Sequence, residues 1–311
     1  MIQDIAPRIF HNQYLPVPPS PDSVVLLIRE QEVCLYAAGC GDQADSGQAD
    51  PLSRLIRFSG LTSRPERAIF LFSVDSLRYY LIFEENILPE GSAFFPVRTV
   101  IGDLAIPRDI RFALTTAWHL AKWYESAAFC GACGSRTVAE GELTPEPEED
   151  SGILSPCTPS SEETIERAVR CPECGRIFYP RINPAVIVGV TRGDQLLITR
   201  YVRSRGVSVD ALVAGFCEIG ETLEETVARE VMEETGLTVT NIRYYKSQPW
   251  GIALDLLAGF YCDAPEGEIS VDETELSSAV WVRREDIKGQ PTDNSLTNEM
   301  MMTFKAGREP R

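Results

Sequence analysis

"GFCEIGETLEETVAREVMEETGL", residues 215–237, packs seven glutamates into twenty-three positions, yet keeps Leu223, Val227 and Val231 at helical spacing. Glutamate is a good helix former, and a solvated acidic face alone would account for the composition. The order of residues says more. Thr222 followed three residues later by Glu225 is a capping box, which predicts a helix starting just after Glu221. Gly236 is a natural C-terminal stop. Between these limits Glu230, Glu233 and Glu234 stand at i, i+3 and i+4, adjoining on one face. Three like charges so close are mutually destabilising unless a cation sits among them, so the spacing points to a metal site.

The rest of the 311-residue chain is long enough for two or three domains. An apolar fraction of 44% describes an ordinary soluble globular protein. No apolar run approaches a membrane span, and "MIQDIAPRIFHNQYLP" lacks the basic and apolar regions of a signal peptide. A cytoplasmic setting with no membrane partner is the expectation. A formal charge of −17 argues against broad, sequence-independent binding to nucleic acid. It leaves room for a phosphate-bearing substrate whose charge is neutralised by divalent cations.

Residues 1–125 read as a strand-rich domain ending in a helix. "SVVLLI" and "EVCLYAA" flank a polar turn, "AIFLFSVDSLRYYLIF" reads as two strands around Asp75 and Ser76, and "GCGDQADSGQADP" is a loop. From Pro107, Ile110, Leu114, Trp118 and Ala121 recur at helical spacing toward Phe129, with His119 read as a structural residue. Residues 181–311 alternate strands ("PAVIVGV", "QLLITRYV", "LLAGFYC", "AVWVR") with the glutamate helix and a last helix from Asp293 to about Ala306. Strands mixed with a few long helices predict an α+β or mixed α/β/α layered fold.

Between these regions, over residues 126–180, the cysteines are organised. Nine occur in all; Cys34, Cys40, Cys157, Cys217 and Cys262 are scattered and read as free thiols. "FCGACG" and "CPECG" place Cys130 with Cys133 and Cys171 with Cys174, each pair two residues apart. Four thiolates so arranged complete a closed tetrahedral zinc site, structural because no coordination position stays open. The stretch 135–170 carries nine acidic residues against three basic ones. Its middle is expected to be a disordered insertion that could be removed without loss.

Residues 215–237 resemble the Nudix box at each defined position: Gly215, Glu221, Arg229, Glu230, Val231, Glu233, Glu234, Gly236 and Leu237, with Met232 and Thr235 between. The resemblance implies a Nudix fold preceded by a zinc ribbon and a strand-rich N-terminal domain. It also implies a Mg²⁺- or Mn²⁺-dependent hydrolase of nucleoside diphosphate derivatives. A zinc ribbon before the box, "YPRINPAVI" joining them and "SQPW" at 247–250 make the chain similar to the bacterial NADH pyrophosphatases. That narrower resemblance implies cleavage of NADH or NAD⁺ to nicotinamide mononucleotide and AMP, removal of NAD caps from RNA ends, and a homodimer.

Carried onto this chain, it implies metal ligands at Glu230, Glu234, the Ala214 carbonyl and Glu275, with Glu273 a substitute for the last. Glu233 and Glu221 complete the acidic cluster, and Arg229 orients a carboxylate. Phe216 stacks on the nicotinamide ring, and Tyr179, Gln248, Pro249, Trp250, Asp255 and Thr297 line the nucleotide pocket. One departure bears on substrate. After Trp250 the related proteins continue Pro-Phe-Pro-x-Ser, whereas this chain reads Gly251-Ile252-Ala253-Leu254-Asp255, an acid in place of serine. ADP-ribose, FAD and dinucleoside polyphosphates are therefore alternative substrates. A Nudix ligand sensor without activity is an alternative function, though such regulators lose box residues that are complete here.

Overall fold

The structure is a computed structural model that describes residues 1–37, 54–145, 154–156, 165–202 and 209–310. The expected loop over 39–51, with Cys40, and Cys157 lie outside the described residues. The chain divides into two compact units: residues 4–181, and residues 182–311 together with Met1–Gln3.

In the first unit the strands are β1 (Phe10–His11), β2 (Val24–Leu26), β3 (Ile28–Arg29), β4 (Glu32–Tyr36), β5 (Ala68–Val74), β6 (Leu77–Ile82) and β7 (Ser92–Pro96). Helices α1 (Val97–Gly102) and α2 (Arg108–Ser126) follow, then β8 (Val138–Ala139), β9 (Leu143–Pro145), β10 (Leu154–Pro156), β11 (Val169–Arg170) and β12 (Ile177–Phe178). One sheet runs β10-β9-β5-β6-β2 with β1 beside β5; two three-stranded sheets run β3-β4-β7 and β12-β11-β8. The turn between β5 and β6 falls at Asp75, whose φ is 51° and whose carboxylate accepts the Ile9 N–H at 2.8 Å. In α2, Ile110, Leu114, Trp118 and Ala121 are buried, as the helical spacing predicts. His119 is half-buried with Nε2 2.9 Å from the Arg181 carbonyl, and burial lowers its pKa.

The acidic insertion needs correction at its near end. Leu143 is fully buried among Phe70, Tyr80 and Ile82, and pairs with Ala68. Beyond it, β9 pairs antiparallel with β10, Leu154 opposite Pro145. The average composition of the segment hid one well-placed leucine, and a single buried leucine suffices to anchor a strand to an existing sheet edge. Residues 146–153 and 157–164 lie outside the described residues.

The second unit is a layered sandwich. Its strands are β13 (Asn183–Arg192), β14 (Gln195–Tyr201) and β15 (Val213–Phe216), then, after α3 (Leu223–Thr235), β16 (Thr240–Trp250), β17 (Asp255–Asp263) and β18 (Leu276–Arg283), before α4 (Leu296–Lys305). The sheet order is β16-β17-β13-β14-β18, with β15 also on β13, and β13 and β17 run parallel. Alternate residues of a strand face opposite sides. Val186, Val188 and Val190 of β13 accordingly pack with Val227 and Val231 of α3. Ala185 and Ile187 pack instead with Leu296, Met300 and Phe304 of α4, on the other face. This α/β/α layering is the mixed class expected. Strand β16 has no counterpart among the strands read from the sequence, because most of its residues are exposed and two register shifts interrupt its pairing with β17. It is the sheet's edge, which is where Pro249 can be accommodated without losing a ladder bond.

Among the described residues no helix is long and apolar enough to cross a membrane. Cys34, Cys217 and Cys262 are free thiols, as their scatter predicts.

Candidate active site

Local chemistry sets α3. Thr222 Oγ1 accepts the Glu225 N–H at 3.2 Å while Glu225 Oε2 accepts the Thr222 N–H at 2.8 Å, and Gly236 ends the helix in the left-handed conformation with φ 70°. Val227 and Val231 face the sheet, so Glu230 and Glu234 are carried down toward β15 while Glu233 stays exposed.

Arg229 organises the carboxylates. Its Nε and Nη2 donate to Glu221 Oε1 and Oε2 at 2.6 and 3.0 Å, a bidentate fork. Nη1 donates to Glu230 Oε1 at 2.7 Å and to Glu233 Oε2 at 2.9 Å, and Nη2 also reaches the Phe216 carbonyl at 2.9 Å. One guanidinium thus ties three acids of the box to the end of β15. It holds the Glu221 carboxyl down to about 2, helped by the Glu218 N–H.

Glu234 has no such partner. It is 2% exposed, and among the described residues neither carboxylate oxygen has a hydrogen-bond partner. Burial first, then the charges of Glu230 and Glu275, push its pKa up to about 8. The Ala214 N–H and the Tyr201 hydroxyl favour its charged form too weakly to offset this. Glu230 is also raised, mainly by burial, with Arg229 opposing. Glu275, distant in sequence, reaches the cluster because its turn is tethered to the end of α3. The Asp272 N–H bonds the Glu234 carbonyl at 3.1 Å and the Ser270 N–H bonds the Thr235 carbonyl at 2.9 Å. A buried, unpaired carboxylate is costly unless a cation compensates it. The donor set, one buried and one partly buried glutamate with an exposed third and the backbone of Ala214 alongside, is the all-oxygen chemistry of a hard divalent cation. In chemistry the residues fit such an ion; among the described residues only the four cysteines bring their ligand atoms within 4.8 Å of one another.

The remaining expected pocket residues separate into groups. Phe216 is 54% exposed and lies on the α4 face of the sheet, since it pairs with Ala185. Asn183, Asp255 and Trp250 form the next row of that face, paired through β13, β17 and β16. Asp255 is 5% exposed, accepts from the Asn183 amide at 3.4 Å, and burial raises its pKa to about 6. Pro249 is exposed and Thr297, in the first turn of α4, is half-buried. Gln248 faces inward. It is fully buried, its Nε2 donates to the Asn294 carbonyl at 2.8 Å and to Gln3 Oε1 at 3.0 Å, and its Oε1 accepts the Leu296 N–H at 2.7 Å. These bonds tie Gln248 to the start of α4 and to Gln3. Tyr179 belongs to the other unit, where it is exposed and its hydroxyl donates to Glu166 Oε2 at 3.0 Å. Sequence reasoning did not single out Tyr201 or Asn183; only the register of β14 and β13 brings them in.

In residues 4–181 the four cysteines converge. All four Sγ atoms lie within 4.8 Å of one another, with Cys130–Cys174 at 3.6 Å and Cys133–Cys171 at 3.5 Å. Four sulfurs about 2.3 Å from one ion stand about 3.8 Å apart, so the spacing suits tetrahedral coordination. Gly134 and Gly175 have φ of 76° and 71°, which lets their N–H groups turn back to the Cys130 and Cys171 carbonyls at 2.8 and 3.0 Å. The Ser135 N–H leads in pulling the Cys133 thiol down to about 6, toward the thiolate a metal needs.

Residues 181–303 match the NUDIX domain family. Over 183 residues the chain is 37% identical to the NAD-capped RNA hydrolase NudC of Klebsiella pneumoniae and 38% identical to that of Salmonella heidelberg. Each alignment covers 59% of this chain and 62% of the relative, less than two thirds of its length. A solved NUDIX hydrolase from Nitrosomonas europaea is 19% identical, with a TM-score of 0.42 over 59% of this chain and 91% of its own.

Proposed function

We propose that this chain, which carries a NUDIX domain, hydrolyses the pyrophosphate bond of NADH or NAD⁺ to nicotinamide mononucleotide and AMP, and acts likewise on NAD-capped RNA ends. The observation that carries the reading is Glu234: a carboxylate buried without a hydrogen-bond partner, one turn from Glu230, on a helix whose box is complete. The choice of NAD(H) is supported by the relatives, which are named for NAD-capped RNA.

A divalent cation, Mg²⁺ or Mn²⁺, held by Glu230, Glu234, Glu275 and the Ala214 carbonyl would neutralise the pyrophosphate and lower the pKa of bound water. The chain's own residues do the rest. Arg229 fixes Glu230 and Glu221 so that neither must reorganise as charge develops on phosphorus. Glu233 leaves Oε1 outside the Arg229 contact and is exposed, so that atom can take the proton of the attacking water. Phe216 presents an exposed ring to the nicotinamide, and Asp255, Trp250 and Thr297 line the same face of the sheet. Zinc at the four cysteines staples residues 130–174 and takes no part in hydrolysis. A homodimer follows from the resemblance, and a cytoplasmic setting from the absence of a signal-peptide pattern at residues 1–16.

The test is a panel of NADH, NAD⁺, ADP-ribose, FAD and an NAD-capped oligonucleotide with Mn²⁺, resolving the products. Fastest release of AMP with reduced or oxidised nicotinamide mononucleotide is expected. Faster turnover of ADP-ribose or FAD overturns the substrate; no hydrolysis of any member overturns the activity.

A further inference from the structure

Residues 4–181 form a half-open cavity, of about 510 Å³, that shares no residue with the acidic cluster. That volume is in the range of small-molecule sites, about 300–1,000 Å³. Its floor is apolar and buried: Ile69, Leu81, Ala121 and Val169 come from β5, β6, α2 and β11.

One aromatic–guanidinium contact and one cross-strand Phe–Arg bridge line it. The Arg67 guanidinium lies 3.7 Å above the Phe83 ring and is 3.5 Å from Glu142. Phe129 and Arg136 face each other across an antiparallel bridge, so their side chains leave the backbone on one side. Both rings are accessible, Phe83 38% and Phe129 64% exposed, although a ring in a folded unit ordinarily buries itself.

The lining charges are unevenly satisfied. Arg29 is held by Glu85 at 2.8 Å, Arg67 by Glu142, and Glu125 by Lys122 at 2.6 Å. Arg136 and Glu30 make no ion pair among the described residues, so one cation and one anion remain available at the cavity. A lipid chain would cover the floor and leave both unsatisfied. A bare phosphate would satisfy Arg136 and leave the rings and floor uncovered. A ligand with a planar ring, an anionic group and hydrogen-bond donors answers all of these features. Bases stack on aromatic and guanidinium planes, phosphates pair with arginine, and a carboxylate accepts from ribose hydroxyls or an exocyclic amine.

We infer that this cavity binds a nucleoside 5′-monophosphate unit, either free or as the 5′ nucleotide of an RNA chain, through Phe83, Phe129, Arg136 and Glu30. The inference does not depend on the hydrolytic reading, which has its own assay.

The experiment is calorimetric titration of the full chain, without added divalent cation, with AMP and separately with a 5′-phosphorylated tetraribonucleotide. The wild type is compared with Arg136→Glu, Phe129→Ala and, in the NUDIX domain, Phe216→Ala, with zinc content checked in each. Binding should survive Phe216→Ala and weaken by about tenfold or more in both cavity variants. If AMP binds in this pattern the source is the free nucleotide; if only the oligonucleotide does, it is RNA. Binding untouched by both cavity variants, abolished by Phe216→Ala, or absent for both probes overturns the inference.

Discussion

The Glu230 carboxylate occupies the space beside Gly215 that any Cβ would fill: a side-chain carbon built there overlaps the carboxylate itself. Glycine begins the box for this close approach and not for its backbone conformation, since Gly215 is absent from the positive-φ residues. Gly215→Ala should therefore displace Glu230 from Arg229. Turnover should fall by about a hundredfold, the equivalent of about 3 kcal/mol, with little change in circular dichroism. Wild-type kinetics in the Gly215→Ala variant would show that Glu230 does not need this seat.

Glu234 makes stability depend on pH. Its carboxyl titrates at about 8 in the folded protein against 4.5 ordinarily, raised first by burial. The folded state therefore holds its proton more tightly, so this group's favourable contribution is complete below about pH 4.5 and is lost as pH rises through about 8. Glu221, held near 2, contributes a constant amount over that window. Without added divalent cation, the melting temperature should fall from pH 5.5 to 8.5 more steeply in the wild type than in Glu234→Gln. Mn²⁺ should restore more stability at the higher pH, in the wild type only. Glu234→Gln should also lower kcat by about a hundredfold. Equal slopes for the two proteins would contradict this account of Glu234.

Asp255 offers a second titration, in the candidate pocket. Burial raises its pKa to about 6, so the carboxylate forms as pH passes that value. A negative charge on the face that carries Phe216 favours the cationic oxidised nicotinamide over the neutral reduced ring. The ratio of kcat/KM for NAD⁺ over NADH should rise between about pH 5 and 7.5, and should be flat in Asp255→Asn. A flat wild-type profile would remove Asp255 from the nicotinamide end.

Cys171 is fully buried at the four-sulfur site. Cys171→Ser should reduce zinc from one ion per chain to well below one and lower the melting temperature, because structural zinc contributes folding energy directly. Metal analysis of unchelated wild-type protein that finds no zinc would end this reading.

Leu143→Ala tests the corrected insertion. Its side chain is fully buried against Phe70, Tyr80 and Ile82, so truncation should cost about 2–5 kcal/mol by chemical denaturation. Removing residues 141–160 should cost at least as much, opposite to what the acidic composition suggests. A neutral effect of Leu143→Ala would mean the strand is dispensable.

Much was legible because it is written within a few residues. The capping box at Thr222 and Glu225, the stop at Gly236, the i, i+4 placement of Glu230 and Glu234 and the two CxxC turns all depend on hydrogen bonds or spacings that close locally. The apolar run of β13 announced a strand, and the structure buries it on both faces. What the tertiary structure alone decided involves distant partners. The seat of Glu230 against Gly215, the tether that brings Glu275 to the end of α3, and the burial of the Glu234 carboxylate follow from how strands and helix pack. The hydrogen bonds of Gln248 to Asn294 and Leu296, distant in sequence, belong to the same class. Local propensity and spacing choose the elements. Burial and desolvation, which set the charge state of Glu234 and the strand at Leu143, exist only once those elements meet.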